Sequence, residues 1–164
     1  FSGQGWNPPE TVDSQKDVGL FASITVDELS YPHIGYFDNS NRNLKYSHWK
    51  KYYPPRLSWA GGKKYINTGV YPSWGTVKTE FTYAVIYLDP DGDPPGEGYP
   101  KLVVSRNNKP LAGSPFAMFF TTGTFNTGAL YAYRLNLSSG THKYRFEAAD
   151  KHGAAAIGEP TKAR

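Results

Sequence analysis

The sequence contains no cysteine and a single methionine among its 164 residues. Without thiols, disulfide scaffolds, zinc–thiolate centres and cysteine nucleophiles are all excluded. Long apolar runs are missing too, since none approaches the roughly 18 residues that a membrane-spanning helix needs. Helical periodicity is nearly absent, because Gly or Pro interrupts every window that begins to place apolar residues at i, i+3, i+4 and i+7. Charge is thin: 18 Lys and Arg against 14 Asp and Glu leave a net +4. The basic residues, among them Lys45, Lys50, Lys63, Lys143 and Arg145, are scattered rather than gathered in a stripe. That pattern argues against a nucleic-acid surface. Rings and turn formers are what the chain has in quantity, with 13 Tyr, 9 Phe, 4 Trp, 17 Gly and 13 Pro. The rings suffice for a core, and Gly and Pro without a triplet period exclude collagen and fit short strands joined by turns.

A period of two recurs along the chain. Phe81, Tyr83, Val85 and Tyr87 alternate with smaller residues, and so do Tyr131, Tyr133, Leu135 and Leu137. Tyr144 and Phe146 alternate with Lys143, Arg145 and Glu147, as in a half-buried strand. Ser138-Ser139-Gly140 lies between the last two runs and predicts that they form a hairpin. Thr121-Thr122-Gly123-Thr124 reads as a turn that O-linked sugar can decorate. In the first third, Val18-Gly19-Leu20, Ile24-Thr25-Val26, His33–Phe37 and Leu44–Tyr46 are short strand candidates separated by polar turns. The prolines of Tyr52-Tyr53-Pro54-Pro55 break the pattern. The expectation is therefore an all-β chain in two parts, residues 1–53 and residues 54–164.

Two resemblances accompany these residues. Trp6, Thr11-Val12-Asp13, Asp17-Val18-Gly19, Ser23-Ile24, Val26-Asp27, Pro32-His33-Ile34, Tyr36-Phe37-Asp38 and Leu44-Lys45-Tyr46 stand in the order and spacing of a secreted bacterial β-propeller-type repeat, across about residues 6–50. That resemblance implies a propeller-blade-like antiparallel sheet behind an N-terminal arm. Leu57-Ser58-Trp59, Asp89-Pro90-Asp91-Gly92-Asp93, Gly98-Tyr99-Pro100-Lys101, Gly113-Ser114-Pro115-Phe116 and Tyr144–Asp150 resemble a bacterial immunoglobulin-like extracellular module, across about residues 56–160. This second resemblance implies a β-sandwich used as a spacer, stalk or adhesive unit, and it implies no catalysis.

Few residues offer chemistry. Asp89, Asp91 and Asp93 alternate around Gly92, and oxygens so spaced can wrap a Ca²⁺ ion, with Asp150 or Glu97 as a further ligand. The spacing lacks the terminal Glu of an EF-hand, so a simple Asx turn competes with the metal reading. His33, His48, His142 and His152 form no metal-binding spacing, and His33 reads as a strand residue bonded to Asp27 or Asp38. No nucleophile elbow, HExxH helix or P-loop occurs, so the expected protein is not an enzyme and needs no cofactor beyond that possible Ca²⁺. Trp49, Tyr52, Tyr53 and Trp74 lie in or beside loops and can stack on sugars or bury in a neighbour. Phe1 and Trp6 sit in a Gly- and Pro-rich arm suited to strand addition. Asn136-Leu137-Ser138 is a glycosylation sequon at Asn136.

An isolated blade poses a physical problem. Roughly fifty residues bury too little apolar surface to offset chain entropy, and open strand edges recruit other strands. Docking on the second part, belonging to a longer repeat protein, or pairing with a neighbouring molecule would each meet that need; the expectation is a secreted, cell-surface structural protein that self-associates or pairs with other β-rich surface proteins, as a subunit of a filament or larger assembly. Two other readings stand beside it: a carbohydrate- or surface-binding adhesin module, and an accessory domain of a secreted glycan-active enzyme.

Overall fold

The computed structural model describes residues 8–28, 30–49, 52–65 and 67–164. The chain is all-β and divides into two compact units, Phe1–Lys51 and Tyr52–Arg164. The expected boundary lay two residues further on, at the Tyr53–Pro54 bond.

The first unit holds one antiparallel sheet in the order β1 (Val18–Val26), β2 (Pro32–Asp38), β3 (Asn43–His48). The two short runs Val18–Leu20 and Ile24–Val26 merge into the single strand β1, with register shifts between Val18 and Ser23. Phe21 sits inside that irregularity at φ 53°, a left-handed conformation that a bulky side chain rarely adopts. The bulge absorbs the extra residue and turns the ring outward.

The second unit has two sheets. One runs β10 (Phe119–Thr124), β11 (Gly128–Asn136), β6 (Glu80–Leu88), β4 (Arg56–Trp59), with β5 (Val70–Tyr71) also on β6. The other runs β12 (His142–Glu147), β7 (Lys101–Arg106), β8 (Lys109–Pro110), with β9 (Phe116–Ala117) also on β7. Both sheets feed one core. Leu57, Tyr83, Val85 and Tyr87 come from the first and Leu102, Val104 and Phe146 from the second, all nearly or wholly buried. Rings meet from opposite sheets: Tyr83 and Tyr144 at 5.1 Å, Trp59 and Phe146 at 6.3 Å, both edge to face. Each such burial contributes about 1.5–3 kcal/mol, so the alternation read at 81–87 and 144–146 is what holds the unit together.

The expected hairpin between β11 and β12 does not form. β11 pairs with β6 and β10, whereas β12 pairs with β7, so residues 137–141 cross from one sheet to the other. Five residues are enough to bridge sheets about 10 Å apart, and Leu137 packs against the core on the way. The expected turn at Thr121–Thr124 is instead part of strand β10. Gly123 there permits close backbone approach, because a Cβ on it would lie 2.1 Å from the Gly128 carbonyl oxygen.

A parallel seam closes the unit beside β4. The Ile157 N–H donates to the Pro55 carbonyl (3.0 Å), and the Leu57 N–H donates to the Ile157 carbonyl (2.8 Å).

Candidate functional site: an uncovered three-stranded sheet

Side chains opposite one another in an antiparallel pair share a face. In the first unit, His33 faces His48, Phe37 faces Leu44 and Gly35 faces Tyr46. The other face carries Ile24 opposite Ile34, Val26 opposite Pro32 and Tyr36 opposite Lys45.

The second of these faces has a polar anchor. The Tyr36 hydroxyl donates to Asp13 Oδ2 (2.8 Å), and Lys45 Nζ reaches the same oxygen (2.9 Å) and Asp38 Oδ2 (3.2 Å). Asp38 also accepts from the Asn41 backbone and side-chain amides. The Gln15 N–H, then Lys45 and Tyr36, hold the Asp13 carboxyl down at about 2. Asp38 is lowered as well, chiefly by Asn41. Bonds to the same carboxylates raise Lys45 and Tyr36.

The first face has a ring cluster. His33 bonds Asp27 Oδ2 through Nε2 (3.2 Å) and the Tyr46 hydroxyl through Nδ1. His33 and His48 stack at 5.8 Å and Tyr46 and His48 at 5.6 Å. His33 is thus engaged with Asp27, one of the two partners its sequence position suggested.

The Phe21 and Phe37 rings also meet at 6.5 Å, yet among the described residues most large apolar side chains of the sheet stay exposed. Tyr36 and Asp38 are the buried residues of this unit among those described. Phe21 is 88% exposed and Leu44 80%, while Ile24 and Val26 on the opposite face are 66% and 62% exposed. Large apolar side chains are thus exposed on both faces of the sheet, and among the described residues β1 and β3 are its edges.

The other site candidates lie elsewhere. Phe1 and Trp6 fall outside the described residues, and residues 8–12 of the expected arm form no strand. Trp49 packs edge to face on Tyr31 at 5.1 Å. Tyr52 and Tyr53 gather at the acidic loop of the second unit. The Tyr52 ring lies 4.2 Å from His152, and the Tyr53 N–H donates to Asp91 Oδ2 (2.7 Å).

That loop is organised by its own backbone. Asp89 Oδ1 accepts from the N–H groups of Asp91 (2.8 Å) and Asp93 (3.2 Å), and Asp89 Oδ2 accepts from the Tyr87 hydroxyl (3.3 Å). Asp93 pairs with Lys151 (2.8 Å) and His152 (3.0 Å). Asp150 Oδ1 accepts from the backbone of His152 and Ala154. Burial, followed by Asp89, pushes the Tyr87 phenol up and keeps it a donor. This is the Asx-turn arrangement, and among the described residues no group of three His, Asp or Glu side chains is placed to hold a metal ion. Asn136 is exposed at the end of β11, opposite Glu80. Trp74 is 82% exposed on the loop after β5.

No known family model matches the chain, and no curated protein matches it.

Sequence reasoning missed Phe21, Leu44, Phe119 and Phe120 as surface residues. Leu44 sits at an ordinary strand position, where alternation marks a face but not whether anything covers it. Phe21 lies in the bulge, where alternation fails.

Proposed function

We propose that the protein is a non-enzymatic structural subunit of an extracellular, cell-surface assembly, in which the β1–β3 sheet is completed by neighbouring copies of this chain. The observation that carries this reading is the exposure of Phe21 and Leu44 on one side of the sheet and Ile24 and Val26 on the other. A propeller-type repeat, which this segment resembles, meets the same need by stacking each blade between two others. Contacts between two different faces propagate, giving an open stack unless the rotation closes a ring. The second unit, resembling an immunoglobulin-like module, then serves as the self-supporting spacer. Its core is drawn from both of its sheets, and no motif in the sequence supplies a nucleophile with its base.

Sedimentation velocity and negative-stain microscopy over a hundredfold range of concentration test this. The mass is expected to rise with concentration, and Leu44→Asp or Ile24→Asp is expected to weaken association at least tenfold. A monomer throughout would overturn the assembly reading.

A further inference from the structure

A groove of about 380 Å³ opens in the second unit between residues 72–77 and residues 137–141, with the core residues Phe81 and Tyr83 contributing to its lining. Its size falls in the range of small-ligand sites. The largest exposed side chain on it is Trp74, 82% accessible. An indole offers a broad apolar face with a polar N–H at its tip, which a ligand can cover.

The rest of the lining narrows what that something is. Ser73, Ser139 and Thr141 contribute hydroxyls that have no hydrogen-bond partner among the described residues. The lining includes no Asp, Glu, Lys or Arg. Burial raises the phenols of Tyr83 and Tyr144, which also line it, and leaves them uncharged. A cationic ligand would find no counter-charge in this lining; besides the hydroxyls it offers the His142 imidazole, whose Nε2 is buried without a hydrogen-bond partner among the described residues, and Arg106 reaches it through Ser138 Oγ (3.3 Å). A neutral pyranose has the matching chemistry: an apolar C–H face for the indole, and a rim of hydroxyls that donate and accept.

The loop is also fixed in advance. The Thr76 N–H donates to Thr79 Oγ1 (2.9 Å), the Thr79 N–H to the Thr76 carbonyl (2.9 Å), and the Lys78 N–H to Thr76 Oγ1 (3.2 Å). Gly75 packs so closely that a Cβ on it would lie 2.4 Å from Thr79 Oγ1. A platform held this way loses little freedom on binding.

We propose that the Trp74 groove binds a neutral polysaccharide chain, with the indole stacking on one sugar and Ser73, Ser139 and Thr141 bonding its hydroxyls. This site is independent of the assembly surface on the first unit.

Nitrogen-15 spectra of the intact chain test it, because each tryptophan gives its own indole signal and Trp59, packed against the core, serves as the internal reference. The probes are hexasaccharides of β-1,4-glucose, β-1,4-xylose, β-1,4-N-acetylglucosamine and α-mannose, with oligogalacturonate as the charged arm. At least one neutral probe is expected to shift the Trp74 indole and the Ser139 and Thr141 amides with a Kd of about 1 mM or tighter. Trp74→Ala is expected to weaken that probe at least tenfold with the spectrum of the core unchanged. The proposal fails if no neutral probe moves these signals, if the charged probe alone does, or if Trp74→Ala binds as well as the parent.

Discussion

Asp13 shows how a single carboxylate can organise a small sheet. It accepts from Tyr36 and Lys45 while outside any strand, tying the segment before β1 to β2 and β3. Its carboxyl, at 3.8 when unperturbed, is held at about 2. A lowered carboxyl stabilises the fold above its ordinary value and loses that contribution as the pH falls through the lowered one. Amide signals of Tyr36 and Lys45 are therefore expected to persist at pH ~5 and to fade between about pH 4 and about pH 2. Asp13→Asn is expected to flatten that acid transition. The polar contacts of the two faces of this sheet were unequally legible in the sequence. His33 could be paired with Asp27 by proximity along the chain, but Asp13 and Lys45 are far apart in sequence and nothing local links them.

At the scale of elements, the periods of two at Phe81–Tyr87, Tyr131–Leu135 and Tyr144–Phe146 were readable because one face of each strand enters the common core. Pairing was less readable. A short loop between two strands suits a hairpin and equally a crossing between sheets, and residues 137–141 make the crossing. Strand β10 hid for a related reason. All six of its residues are exposed, so burial imposes no alternation on Phe119–Thr124. The acidic loop was readable as a turn because Asp side chains bond their own backbone. Asp89 is completely buried and accepts two N–H groups and a phenol. Replacing it with Ala is expected to cost about 1–3 kcal/mol by leaving those donors without a partner. With the backbone already occupying Asp89 and with Lys151 and His152 on Asp93, adding Ca²⁺ or chelator is expected to leave Tm unchanged. A chelator-induced fall in Tm would favour the metal reading.

At the scale of the whole molecule, the two units differ in how they are supported. Residues 52–164 share one core drawn from both sheets, whereas the described part of residues 1–51 buries two side chains. Expressed alone, residues 52–164 are expected to melt cooperatively within about 5 °C of the corresponding transition of the full chain. Residues 1–51 alone are expected to show no cooperative melt at low concentration, and a sharp, concentration-independent transition would refute that expectation. The bipartite plan was visible at the Tyr52–Pro55 break, but the exposure of the first sheet was not, because a hydropathy pattern is the same whether or not a neighbour is present.

The seam between Pro55–Leu57 and Ile157 has a mechanical corollary. Two segments running in parallel, one entering the unit and the other near its exit, are dragged lengthwise past each other when the chain is stretched. Their hydrogen bonds then resist in shear, all at once, where antiparallel neighbours pulled from one end would unzip bond by bond. A unit closed in this way is braced against tension along the chain.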